Sequence, residues 1–81
     1  MMAQTETEAL SWVANLFEES AAALTPETRR EDIPAWDSLG VLTLMAGFDS
    51  DFGITLSDDQ VQHMNKVDDI LEILRSKGAL T

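Results

Sequence analysis

The clearest chemical opportunity in the chain is a serine set directly after an aspartate, where a proline-containing loop gives way to a helical apolar pattern. It is Ser38, within Ile33-Pro34-Ala35-Trp36-Asp37-Ser38-Leu39-Gly40. A hydroxyl at a helix N-terminus lies among unpaired backbone N–H groups and the positive end of the helix dipole, so it can hold a phosphodiester there. The same stretch also suits a simple cap, in which Asp37 or Ser38 accepts a hydrogen bond from an otherwise unpaired N–H. Asp-Ser-Leu alone does not separate an attachment point from a cap, because so short a match arises often by chance.

Other chemistries find few residues to use. The chain has one histidine, His63, and neither cysteine nor tyrosine. A Ser38–His63–Asp triad would need an oxyanion site and a substrate pocket, which 81 residues have little mass to build. No catalytic residue is assigned, and His63 reads as a surface or loop-packing residue. Without cysteine there is no disulfide framework and no thiolate metal site. The acidic run Asp49-Ser50-Asp51-Phe52-Gly53 fails as a calcium loop: Ile54 stands where the sixth-position glycine belongs, and Gln60 replaces the bidentate glutamate. No metal site is assigned.

Charge narrows the partners. Fifteen acids against five Lys and Arg give a net charge of −10. Nucleic acid and anionic lipid are repelled; the acidity either favours partners with basic surface or only keeps a small domain soluble, and composition does not separate the two. The run Arg29-Arg30-Glu31-Asp32 reads as a solvated charge cluster. No apolar run reaches membrane-spanning length, and no basic-then-apolar leader opens the chain, so a soluble cytoplasmic protein is expected. The doubled Met1-Met2 is given no function.

The elements that must position Ser38 are helical, because every longer apolar pattern has helical spacing. The expected fold is a single all-α domain over residues 1–81, a small bundle of three main helices plus one short helix. The first helix is expected over about Glu6 to Glu19, opened by a Thr5/Glu8 capping box, with Leu10, Val13, Leu16 and Phe17 facing the core. A long connection follows from Ser20 to Asp37, pinned by Ile33 and Trp36. The second helix is expected over about Ser38 to Phe52. Its core face is Val41, Leu44, Met45, Phe48 and Phe52, and Gly53 stops it. A short helix over about 57–62 opens with a Ser57/Gln60 box. The last, about 67–77, carries Val67, Ile70, Leu71 and Leu74 on one side.

The second helix carries a further apolar stripe, Leu39, Leu42 and Ala46, which a small bundle does not need. Either the preceding loop covers it or it meets a partner. Gly40 and Gly47 each weaken the helix by roughly 1 kcal/mol relative to alanine, which points to close approach of some neighbour.

These residues together resemble the acyl carrier protein family. The match is carried by Asp37-Ser38-Leu39, by Leu44/Phe48/Phe52 with Gly53 after them, by Ile54-x-Leu56 followed by Ser57-Asp58-Asp59, and by Val67-x-Asp69; it covers nearly the whole chain. The resemblance implies a carrier, not an enzyme. Ser38, beside Asp37, would accept a 4′-phosphopantetheine arm from coenzyme A through a phosphopantetheinyl transferase, and the arm's thiol would hold acyl or aminoacyl cargo. Leu39, Leu42 and Ala46 would form the partner-recognition surface for acyl-loading, condensing or acyl-transfer enzymes with basic docking patches. An acyl chain would enter between the second and third helices among Val41, Phe48, Ile54, Val61 and Leu71, which otherwise read as plain core. A monomer is expected.

The chain departs from fatty-acid carriers at Gly40 and Thr43, where acids are usual, and at Ala46, where a larger residue is common. Lys66 stands in place of a threonine cap. These departures lean toward discrete carriers of specialised pathways, with fatty-acid and polyketide biosynthesis both open. The alternative is an unmodified acidic helical interaction module gripping a basic partner through Leu39 and Leu42.

Overall fold

A computed structural model describes residues 5–80. Met1-Met2 lies outside the described residues. Within them the chain forms four α-helices and no strand: α1 (Glu6–Leu16), α2 (Ser38–Phe52), α3 (Asp58–Gln62) and α4 (Val67–Ser76), with 3-10 turns at Ala21–Ala23 and Arg30–Asp32. This is the all-α bundle of three main helices and one short one that the apolar spacing predicts.

The first helix stops three residues early. Its cap is reciprocal as expected: the Glu8 N–H donates to Thr5 Oγ1 at 3.2 Å and the Thr5 N–H to Glu8 Oε1 at 2.9 Å. After Leu16 the chain turns left-handed at Glu18, with φ 56°. The Glu19 N–H then reaches back to the Ala14 carbonyl at 2.8 Å, closing the terminus as a Schellman turn does. A side chain in that left-handed conformation costs roughly 1–2 kcal/mol. Glu18→Gly is therefore expected to stabilise the fold by about 0.5–1 kcal/mol, after allowing for the looser unfolded chain, read as a raised Tm.

The core runs through all four helices. Val13 and Phe17 of the expected α1 stripe are buried, with Leu10 and Leu16 half-buried at its edge. Ala9 and Ala14, absent from that stripe, are buried too. Small residues there let α1 lie close to its neighbours. From α2 come Leu44, Phe48 and Phe52, from α3 Val61, and from α4 Val67, Ile70, Leu71 and Leu74. Trp12 packs edge-on against Phe48 and Phe52, with ring centroids 5.1 and 4.9 Å apart. Its indole N–H leaves the core to meet Asp51 Oδ2 at 2.7 Å.

The long connection between α1 and α2 is held from both sides. Leu24, Ile33 and Trp36 bury into the core, and Trp36 stacks on Phe17 at 5.2 Å. Three backbone bonds tie it to the segment that opens α4: Arg30 N–H to Asn65 O at 2.8 Å, Val67 N–H to Thr28 O at 2.9 Å, and Asp68 N–H to Pro26 O at 2.8 Å. Two of these donors belong to the first turn of α4, which has no intrahelical acceptor for them. Asp69 accepts further bonds from the N–H groups of Asn65 and Lys66, so the helix is capped without a threonine at Lys66.

Candidate functional site

The start of α2 is built from the residues before it. Asp37 lies in extended backbone, with φ −110° and ψ −159°, and its Oδ1 accepts the Gly40 N–H at 3.0 Å. Asp37 is thus the cap, and Ser38 is the first residue of the helix. The Ser38 side chain is exposed and makes no hydrogen bond among the described residues. The N–H groups of Ser38 and Leu39 likewise have no acceptor there, and the first turn holds no acid within the helix. A free hydroxyl beside two free donors at a helix N-terminus suits a phosphodiester chemically.

Gly40 fixes how the loop approaches. The residue is buried, and a methyl built on it would collide with the Ala35 carbonyl oxygen. The loop therefore crosses the first turn of α2 backbone to backbone, which only glycine permits. Replacing a helical glycine by alanine ordinarily stabilises, by roughly 1 kcal/mol. Here the sign is expected to reverse: Gly40→Ala should cost about 1–3 kcal/mol by overpacking, measured as a lower urea midpoint. Gly47 serves a milder version of the same role, since a methyl there would press on Leu16 and Trp12.

The second apolar stripe of α2 stays uncovered. Leu39 is 73% exposed and Leu42 is 61% exposed, and Ala46 is exposed beside them. The loop that was one possible cover runs instead toward Phe17 and α4. Thr43, between them on the surface, turns its hydroxyl back to the Leu39 carbonyl at 3.1 Å. No charged residue occurs on α2 before Asp49, so the exposed start of the helix is apolar and neutral. A shallow groove of about 480 Å³ flanks it, lined on one side by Asn15, Leu16 and Glu18 and on the other by Asp37, Leu39, Gly40 and Thr43.

The five residues expected to seat an acyl chain are packed together with the core. Phe48, Ile54, Val61 and Leu71 are buried, and Val41 is half-buried. None lines a principal cleft of the molecule. His63 ends α3 and is exposed; its Nδ1–H donates to the Asp59 carbonyl at 2.7 Å, and it makes no bond to Ser38. No described helix is long and apolar enough to cross a membrane.

Two features of the site lay beyond sequence reasoning. One is the contact of Gly40 with Ala35, signalled only by a glycine where a helix should avoid one. The other is Arg30, whose Nε donates to the Trp36 carbonyl at 3.3 Å just ahead of the cap.

No family model matches the chain. It is 30% identical, over 78 residues, to an acyl carrier protein of Thermobifida fusca (strain YX); the match covers 91% of this chain and 99% of that protein.

Proposed function

The chain belongs to the acyl carrier protein family, and from that premise we propose that it carries acyl or aminoacyl cargo on a 4′-phosphopantetheine arm joined to the Ser38 hydroxyl. The observation that supports this most is the division of labour at the start of α2. Asp37 does the capping, so Ser38 is exposed and has no structural duty. When bound, the arm supplies a terminal thiol that holds the cargo as a thioester.

The chain's own residues do the rest by placement. The free N–H groups of Ser38 and Leu39 and the α2 dipole stabilise negative charge on an ester at Ser38. Asp37 holds the first turn rigid, so a group on Ser38 departs from a fixed point. Tethering keeps the cargo at high effective concentration near each enzyme that docks. Leu39, Leu42 and Ala46 are the proposed docking surface for a phosphopantetheinyl transferase and for acyl-loading, condensing or acyl-transfer enzymes. With no acid on the first eleven residues of α2, that contact depends on fitting two leucines more than on a basic patch. This favours a specialised pathway. A monomeric, cytoplasmic, single-domain carrier is the proposed state.

An acyl chain among Val41, Phe48, Ile54, Val61 and Leu71 remains part of the proposal, and it requires those packed side chains to part. Longer saturated cargo should then raise the Tm of the loaded protein stepwise; an unchanged Tm from short to long chains would remove this seat.

Intact mass, before and after incubation with coenzyme A and a broad-specificity phosphopantetheinyl transferase, tests the attachment. Gain of one phosphopantetheine is expected. No gain from folded protein with two active transferases would leave the exposed leucines as the surface of an unmodified interaction module.

A further inference from the structure

Three of the five cations of this chain meet around one cleft. It has a volume of about 770 Å³ and is lined by Arg29, Arg30, Lys66 and Asn65, with Ile33 and Trp36 as apolar wall and Glu31 as its acid. The meeting is made by the fold, since the Arg30 N–H bond to Asn65 O brings residues 29–30 beside 65–66.

The contrast with Arg75 is informative. Arg75 is surrounded by carboxylates, with Asp68 at 3.0 Å, Glu72 at 3.1 Å and Glu6 at 3.7 Å. Arg30 has no acidic partner among the described residues. It is held by the Trp36 carbonyl and lies over the Trp36 ring, 5.7 Å from the centroid. Its remaining N–H groups make no hydrogen bond among the described residues. Arg29 and Lys66 have only exposed partners, Glu31 at 3.3 Å and Glu27 at 3.8 Å, and such pairs exchange readily. Trp36 itself lines the cleft while only 4% exposed, and its buried indole N–H has no acceptor among the described residues.

We propose that this cleft binds an oxyanion, the carboxylate or phosphate of a small organic molecule. Arg30 provides the fixed fork, Arg29 and Lys66 close on it, and Trp36 forms the apolar floor. The overall charge of −10 does not forbid this, because screening over roughly 8–10 Å at physiological salt leaves the local cluster in control. The anion comes from solution or from the end of cargo carried at Ser38; the latter source rests on the carrier reading, the cleft itself does not.

The test is an NMR titration of the unmodified, ¹⁵N-labelled protein with inorganic phosphate and with succinate at a constant ionic strength of about 0.15 M. Saturable shifts are expected at the Trp36 indole N–H and the Arg30 Nε–H. The Trp12 indole, engaged by Asp51, should stay still. Arg30→Gln should weaken binding about tenfold, the worth of one charged hydrogen bond. Because Arg30 also holds the Trp36 carbonyl, Lys66→Gln serves as the second variant and should weaken it severalfold. Shifts that fail to saturate, that appear equally around Arg75 and Lys77, or that persist unchanged in both variants overturn the proposal. In a second arm, protein loaded with succinyl cargo is compared with protein loaded with butyryl cargo. Trp36 moving with succinyl alone makes the cargo the source; the same spectrum from both, with free succinate still binding, makes the source solution. Failure to load, read by mass, counts against the carrier reading and leaves the first arm standing.

Discussion

Ser38→Ala is expected to fold as the wild type does and to gain no mass from coenzyme A and transferase. Both halves follow from the same geometry. The hydroxyl is the proposed acceptor, so its removal abolishes attachment completely. It makes no hydrogen bond within the described chain, so its removal costs little: exposed substitutions of this kind stay within about 0.5 kcal/mol. Asp37→Ala separates the two roles. It removes the bond to the Gly40 N–H and should cost about 0.5–2 kcal/mol while leaving the acceptor in place. Intact mass and a denaturation midpoint, measured on both variants, check the pair. Loading of Ser38→Ala to the wild-type extent would move the attachment point elsewhere.

Phe48→Ala should have the largest effect on stability. Phe48 is wholly buried, stands edge-on to Trp12 at 5.1 Å and lies 6.1 Å from Phe52. Truncation removes the most deeply buried ring of the Trp12, Phe48 and Phe52 cluster and leaves a cavity, which costs about 3–5 kcal/mol. A domain of this length has about 4–12 kcal/mol in total. The variant should therefore lose between about a quarter and all of its stability, with the loosened packing visible in near-UV circular dichroism, which reports Trp12 and Trp36. A cooperative transition within 1 kcal/mol of wild type would show that the core relaxes into the gap, contrary to the tight packing seen around Phe48.

What was legible in the sequence is what depends on near neighbours. The boxes at Thr5/Glu8 and Ser57/Gln60, the stop at Gly53 and the α4 stripe are all encoded within a few residues, and all four are present. The end of α1 was not legible. Ala21-Ala22-Ala23 favours continued helix, and no glycine marks the turn that Glu18 makes. The choice between Asp37 and Ser38 as cap turns on one residue of register, which side-chain type does not decide. The reason for Gly40 lies at Ala35, across the path of the loop. Arg29 and Arg30 read as a solvated run because their neighbour Lys66 is far along the chain. Leu39 and Leu42 stood equally well as covered or bare until the direction of the loop was known.

The bonds from the α1–α2 connection to α4 have a kinetic consequence. Whereas the Asp69 side chain serves Asn65 and Lys66, the Val67 and Asp68 amides of α4 obtain their acceptors from Thr28 and Pro26. Lifting the connection strips those amides, so the loop before Ser38 and the beginning of α4 belong to one cooperative opening unit. In hydrogen exchange the amides of Arg30, Val67 and Asp68 should therefore report a common opening free energy, although they are distant in sequence. A partner that grips the segment ahead of Ser38 would speed or slow all three together, which makes the far helix a remote recorder of docking.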